Sequence, residues 1–347
     1  VGQRYDPVDS DQFLFYREAK EGQILEEGIN EAGSISSFIA AGMAYSTHGL
    51  NMIPFYTYYS MFGFQRVGDF MWAAADMRTR GFLMGATAGR TTLAGEGLQH
   101  QDGHSHLAAS VVPNINAYDP AYAYELAVII QNGLEKMAAD LEPVMYYITL
   151  YNENYIQPPI PKGVEEDIIR GMYKLRNGKL GEYPRVQLLG SGPILRESLA
   201  AADLLEKDWK VDADVWSVTS YSELRKDAED KMRWNIFHPD DEYQIPYVTK
   251  CMEYARGPVI AASDYVRLVA EQVAAFIPNA FTALGTDGFG RSESREDLRS
   301  FFEVNRYYIV LAALNALAKE GKIEFAEVKK AINKYKIDPD KPNPRTA

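Results

Sequence analysis

Pro120-Ala-Tyr-Ala-Tyr-Glu-Leu-Ala-Val-Ile-Ile-Gln-Asn-Gly-Leu-Glu-Lys-Met137, followed by Val144-Met-Tyr-Tyr-Ile-Thr-Leu150, is the stretch that decides the fold. The first run has helical spacing, and the second is a strand of apolar and aromatic residues. Working upstream, Gly81-Phe-Leu-Met-Gly-Ala-Thr87 reads as a buried strand with a long glycine-rich loop behind it. Ile53-Pro-Phe-Tyr-Thr-Tyr-Tyr-Ser60 reads as a short aromatic-rich strand leading into a helix from about Phe64 to Thr79. A helix dense in small residues is expected from Ile24 to Ala44, and another after Pro7, where Asp9, Ser10 and Asp11 offer cap oxygens, ending near Gly22. Strand and helix alternate, which argues for a parallel α/β layer.

Downstream, residues 157–183 turn to proline, charge and turn formers, so the boundary is expected there: a first domain over 1–160, a linker over 161–183 and a second domain over 184–347. The second domain repeats the alternation: strands Arg185–Leu189, Ala213–Val218, Val259–Ala262 and Thr282–Leu284, with helices Leu195–Glu206, Ser222–Met232 and Val266–Phe276. Two long helical patterns, Phe301–Gly321 and Phe325–Tyr335, close the chain. The expected class is α/β, two open, mostly parallel sheets with helices on both faces.

Composition narrows the function. The 347 residues are 46% hydrophobic and 24% charged, as in a globular protein. A net charge of −12 opposes nucleic acid, because no basic footprint is available to neutralise phosphates. A single cysteine, Cys251, allows neither an internal disulfide nor a cysteine-built zinc site and fits a cytoplasmic address. No run approaches the about 18 uncharged apolar residues of a bilayer span, so no membrane is expected. The opening at Val1, in a polar run, suggests a fragment or a cleaved chain.

Three of the five histidines fall in Leu98-Gln-His100-Gln-Asp-Gly-His104-Ser-His106. Spaced i and i+2, His104 and His106 could share one face of an extended loop and move protons or ligate a metal; any one of them alone is more often a satisfied loop or core histidine. No metal ligand is assigned in the chain, since no third ligand stands at helical spacing. Gly85 to Gly97 fails both standard phosphate-loop fingerprints but suits a glycine-rich active-site loop. Glu31, alone among small residues, is either a solvated first-turn residue or a functional acid in a dry site. The aromatic run Phe55, Tyr56, Tyr58, Tyr59, Phe62 and Phe64 is by composition more often core than ligand platform.

Together, Gly28-Ile-Asn-Glu31, Ile53-Pro-Phe-Tyr-Thr-Tyr-Tyr-Ser-Met-Phe-Gly-Phe-Gln-Arg66, Gly89-Arg-Thr-Thr-Leu-Ala-Gly-Glu-Gly-Leu-Gln-His-Gln-Asp-Gly-His-Ser-His106, Tyr118-Asp-Pro-Ala-Tyr-Ala-Tyr-Glu125, Asn152-Glu-Asn-Tyr155 and Leu284-Gly-Thr-Asp-Gly-Phe-Gly-Arg-Ser292 resemble the homodimeric E1 component of bacterial pyruvate dehydrogenase. That is a thiamine diphosphate enzyme of the transketolase superfamily, and the resemblance extends to Asn343-Pro-Arg-Thr-Ala347. It covers the middle, pyrimidine-binding domain and the transketolase C-terminal-like domain. The family's Gly-Asp-Gly motif for diphosphate and Mg2+ is not found here, so those ligands are expected on an N-terminal domain outside this chain.

The resemblance implies roles by position. Glu31 would hydrogen-bond the aminopyrimidine and drive the tautomerisation that forms the ylid. Ile29 would line the pocket, Phe62 would stack on the pyrimidine, and Tyr59 and Arg66 would make polar contacts. His100 would handle the pyruvate adduct, while His106 would match a donor-binding histidine, the relative roles of His100, His104 and His106 staying open. The implied function is an oxidoreductase step of glycolytic carbon flow: pyruvate is decarboxylated and the lipoyl group of E2 dihydrolipoyl acetyltransferase is reductively acetylated. Implied partners are a second copy of the chain, the N-terminal diphosphate-binding domain, and the lipoyl and subunit-binding domains of E2. The second domain is expected to serve the dimer and to carry no catalytic residue, with Asp287–Ser292 a structural turn. The alternatives are transketolase or another 2-oxoacid dehydrogenase E1 subunit, or a non-catalytic dimerising or docking fragment. The isolated chain is expected to be inactive.

Overall fold

In the computed structural model, which describes residues 19–179, 181 and 183–347, the four strands β1 (Phe55–Tyr58), β2 (Gly81–Ala86), β3 (Ile115–Tyr118) and β4 (Met145–Leu150) form one parallel sheet in the order β1-β2-β4-β3. The two apolar runs, β2 and β4, take its centre and pair directly, Phe82 against Tyr146 and Met84 against Ile148. Their residues alternate between two buried layers. Leu83, Met145 and Tyr147 face Ile35, Phe38, Met71 and Ala74, whereas Phe82, Met84, Tyr146 and Ile148 face Ile129 and Met137. Burial on both faces is why these strands read as continuous apolar runs, with no polar alternation to give them away.

A second sheet holds β5 (Met172–Arg176), β6 (Arg185–Gly190), β7 (Asp212–Val218), β8 (Val259–Ala262) and β9 (Phe281–Leu284) in the order β5-β7-β6-β8-β9, parallel except for β5. The helices Leu195–Leu204 and Arg306–Lys319 cover one face, through Leu195, Ala201, Ile309 and Ala313 against Val186, Leu188 and Ile260. The helix Tyr221–Phe237 packs Tyr221 and Leu224 on the other. Among the described residues no helix is long and apolar enough to cross a membrane.

Several expected boundaries move, each for a local reason. The small-residue helix runs Glu31–Gly42 rather than from Ile24, because Gly28 sits at φ +68° and Asn30 caps the helix by accepting from Gly33 N at 3.1 Å. The expected helix Val266–Phe276 shrinks to Leu268–Glu271 and a short turn at Ala274–Phe276; the Val266 N–H donates instead to Gly103 O at 2.8 Å. The expected helix Phe301–Gly321 starts later, as Arg306–Lys319, capped by Asn305 Oδ1 accepting from Tyr307 N and Tyr308 N, and a separate helix Arg295–Phe301 precedes it. Within the stretch read as a linker, Glu165–Arg170 is helical, stops at left-handed Gly171, and leads into β5 on the edge of the second sheet. The strand β3 and the helix Ser105–Ser110 were not expected. The helix expected after Pro7 lies outside the described residues.

In a parallel sheet all carboxyl ends emerge on one side, and the loops there can converge. Tyr59 and Phe62 follow β1 directly, and the glycine-rich loop follows β2.

Candidate active site

Glu31 is the first residue of its helix, which fixes where its carboxylate starts. Glu31 Oε1 accepts from Arg66 Nη1 at 2.8 Å, with the two side chains 19% and 50% exposed. An ion pair this open to water is worth about 0–1 kcal/mol, so its effect is orientation rather than stability. The Arg66 guanidinium lies 4.0 Å from the centre of the Phe62 ring, a cation–π contact. Tyr56 on β1 reaches back to Glu31 O at 3.5 Å, and burial, followed by the nearby Glu31 charge, pushes its phenol up to about 12.

The chain of contacts continues into the histidine loop. The His100 ring meets Phe62 edge-on at 5.2 Å and Tyr59 at 5.3 Å, and its Nδ1 lies 3.2 Å from Glu96 O. The Tyr59 hydroxyl donates to Glu96 Oε2 at 3.1 Å, and that bond raises the phenol's pKa. Glu31, Arg66, Phe62, His100 and Tyr59 therefore form one connected cluster, built from the start of a helix, the segment after β1 and the loop after β2. Ile29, two residues before Glu31, is 99% exposed, so the described residues do not enclose it as a pocket wall. The aromatic run divides: Tyr58 is buried in the core, whereas Tyr59 is 41% exposed at the cluster.

His104 and His106 do not share a face of an extended loop, because Ser105–Ser110 is helical. His104 is at the start of that helix, its Nε2 2.6 Å from Gln65 Nε2, so the amide donates to the ring nitrogen. His106 is buried, its ring against Tyr147 and Tyr265. Its Nε2 lies 3.1 Å from Thr149 Oγ1, and that hydroxyl donates to Asp119 Oδ1 at 2.8 Å, which leaves His106 Nε2 as the donor. Burial lowers His106 to about 4 and raises Asp119 to about 7, so a neutral imidazole faces an acid that holds its proton close to neutrality. Tyr151 also donates to Asp119 and lies 2.8 Å from the Tyr265 hydroxyl.

The loop bearing these histidines is pinned to the second sheet's domain. Buried Asp264, after β8, accepts from Thr91 N at 2.9 Å, Thr91 Oγ1 at 2.6 Å, Thr92 N at 3.0 Å and Thr92 Oγ1 at 2.6 Å. Arg90 Nη1 donates to Thr286 O at 2.9 Å and to Gly288 O. Asp102 accepts from His104 N, Ser105 N and Ser105 Oγ. The Asp287–Ser292 segment thus meets the loop, through Gly288 O and the Arg291 backbone. Sequence reading missed Asp264, Gln101, Asp102 and Asp119 as supports; a polar residue just past an apolar strand, as in Ala261-Ala-Ser-Asp264, was the one available signal. Among the described residues no three His, Cys, Asp or Glu side chains converge to hold a metal.

The family model for the pyruvate dehydrogenase E1 component middle domain matches residues 1–158, and that for the transketolase-like C-terminal domain matches residues 171–305. Pyruvate dehydrogenase E1 components are similar along the whole chain: that of Pseudomonas aeruginosa is 60% identical over 345 residues, covering 99% of this chain and 39% of that protein. That of Cupriavidus necator is 58% identical over 344 residues (99% and 38%), and that of Escherichia coli K12 is 54% identical over 348 residues (100% and 39%). The chain therefore spans under two fifths of the length of these relatives. Solved transketolases share the fold: that of Leishmania mexicana superposes with a TM-score of 0.60 at 17% identity, over 84% of this chain and 37% of that one. The Campylobacter jejuni enzyme gives 0.59 at 19% identity, over 83% and 39%. With two family models in tandem and relatives more than half identical from end to end, the chain belongs to the pyruvate dehydrogenase E1 family, of which it carries the middle and transketolase-like C-terminal domains.

Proposed function

We propose that this chain supplies the pyrimidine side of a thiamine diphosphate site in an enzyme that decarboxylates pyruvate and reductively acetylates the lipoyl group of an E2 acetyltransferase. The observation that carries this reading is the connected cluster of Glu31, Arg66, Phe62, Tyr59 and His100 at the carboxyl ends of β1 and β2. Its donor set fits a flat, nitrogen-bearing ring: aromatic surface on Phe62 and Tyr59, apolar surface on Ile29, and a carboxylate whose Oε1 alone is engaged by Arg66. When bound, thiamine diphosphate supplies the electron sink for the carbanion left by decarboxylation.

The chain's own residues hold and move protons around that ring. Glu31 shares a proton with the ring nitrogen through its carboxyl oxygen, and Arg66 fixes the carboxylate's rotamer. His100 faces the substrate, where an imidazolium attracts the pyruvate anion and an imidazole accepts a proton. Tyr59, Phe62 and Glu96 O border the His100 ring. His106, neutral and buried, is read as a support behind the cluster rather than a catalytic group.

Mg2+ and the diphosphate are proposed to be held by the N-terminal domain of the full-length enzyme, across a homodimer. E2 lipoyl and subunit-binding domains are the proposed macromolecular partners, and the cytoplasm is the proposed address. The test is Glu31→Gln in the full-length enzyme, reading hydrogen–deuterium exchange at the thiazolium carbon of the bound cofactor. Loss of at least 100-fold is expected, since the amide keeps the shape but cannot share the proton. Exchange at the wild-type rate, or turnover of pentose phosphates in place of pyruvate, overturns the reading.

A further inference from the structure

Among the described residues, the His100 ring meets Glu96 O of its own loop and the rings of Tyr59 and Phe62. Glu96 and Tyr59 are themselves exposed, so these contacts do not by themselves fix an imidazole to the fraction of an ångström that proton transfer needs. The next residue is different. The Gln101 side chain is fully buried, and its amide makes three hydrogen bonds that use both N–H groups. Nε2 donates to Leu93 O at 2.9 Å and to Arg291 O at 2.7 Å, while Oε1 accepts from Arg291 N at 2.7 Å. The amide thus pairs with both the N–H and the C=O of one residue, as a strand neighbour would.

From the proposed function above, we infer that Gln101 is the positioning residue for His100, and that the turn carrying Arg291 in the C-terminal domain sets the catalytic geometry of the histidine loop. The turn comes close enough for this because residue 290 lacks a side chain: a Cβ on Gly290 would lie 2.6 Å from Gln101 Oε1 and 2.9 Å from Leu98 O. A second fixed point follows two residues on, where Gly103 O accepts from Val266 N at 2.8 Å. His100 hangs just before these two anchors, so its ring is aimed by its backbone. The chemistry is specific to glutamine. Asparagine falls short by a methylene, and glutamate would turn an oxygen toward the two carbonyls that Nε2 now satisfies.

Gln101→Glu in the full-length enzyme is the main test, with Gln101→Met as the second variant, which keeps the volume and removes the hydrogen bonds. Pyruvate turnover is measured in a double-mutant cycle with His100→Ala. Gln101→Glu is expected to lower kcat about 10- to 100-fold, the scale of an ångström-sized misplacement, and to change turnover less than twofold once His100 is gone. Independently of cofactor and substrate, amide hydrogen exchange over residues 97–103 should quicken at least tenfold while exchange in β4 stays at the wild-type rate. Multiplicative losses in the cycle, or wild-type exchange and kcat in both variants, overturn the inference. If β4 exchange also rises in Gln101→Glu, the Gln101→Met cycle decides by the same criteria. Wild-type turnover in His100→Ala instead removes the proposed role of His100, while the exchange measurement still reports whether the clasp holds the loop.

Discussion

Replacing Gly103 with alanine should destabilise the protein by about 3–5 kcal/mol, through a clash with one residue. A Cβ at position 103 would lie 2.4 Å from Arg90 Nη2, 2.5 Å from Cζ and 2.7 Å from Nε. Such contacts are cheap when the side chain can swing away, but Arg90 is only 4% exposed and its Nη1 donates to Thr286 O at 2.9 Å and to Gly288 O. Moving the guanidinium breaks two charge-assisted bonds worth about 1.5–3 kcal/mol each and leaves carbonyls short of a donor. Arg90→Ala alone loses the same bonds and should cost a similar amount. The double variant should then cost no more than Arg90→Ala, because the methyl enters the space that the guanidinium vacated. The expected coupling energy is therefore the Gly103→Ala cost itself, about 3–5 kcal/mol in the direction of rescue. Urea denaturation of the three variants and wild type, compared at unchanged m-value, measures each term. A Gly103→Ala loss below about 0.5 kcal/mol, or additive losses in the double variant, would refute the close-approach argument.

Arg299 bridges Glu153 and Glu197 in a network with side-chain exposures of 7%, 11% and 7%; burial alone would raise both carboxyls, but the arginines around them hold them below the usual range. Arg299→Met should cost about 1–3 kcal/mol, because Glu153 and Glu197 lose a shared buried partner but keep Arg196 at 2.8 Å and Arg306 at 2.9 Å, and a loss below about 0.5 kcal/mol in the same denaturation assay would contradict it. Asp119, held up to about 7 by burial against an ordinary 3.8, binds its proton more tightly when folded, so its contribution favours folding in acid and is lost as pH rises through 7. His106, lowered to about 4 from 6.5, acts oppositely: its contribution is full above 6.5 and is lost as pH falls toward 4. Asp119→Asn should therefore gain stability relative to wild type between about pH 4 and 7, and a flat difference across thermal melts at several pH values would show that the carboxyl does not titrate there.

Central strands such as β2, β4 and β8 were legible because a sheet covered on both faces demands apolar runs, whereas the short β3 at the edge of its sheet was not. Helices with strong spacing, such as Ala123–Leu134 and Phe325–Lys334, were legible for the same reason: their period is local. Helix ends were less so, since Asn30 and Asn305 cap through a single oxygen that competes with a longer apolar pattern. The edge strand β5 hid in a charged stretch, because an antiparallel edge needs only one neighbour and little apolar surface.

The chain alone named Glu31, Tyr59, Phe62, Arg66 and His100 as candidates, through motif resemblance rather than periodicity. That Arg66 engages Glu31 and stacks on Phe62, that His106 turns inward to Thr149, and that Gln101 and Asp264 grip across the two sheets was decided by tertiary structure. The Asp264–Thr91 and Gln101–Arg291 contacts join residues 173 and 190 positions apart. Local patterns record which residues prefer helix, strand or burial. A hydrogen bond between distant residues leaves no period in the sequence, because it depends on where the whole chain has placed its two ends.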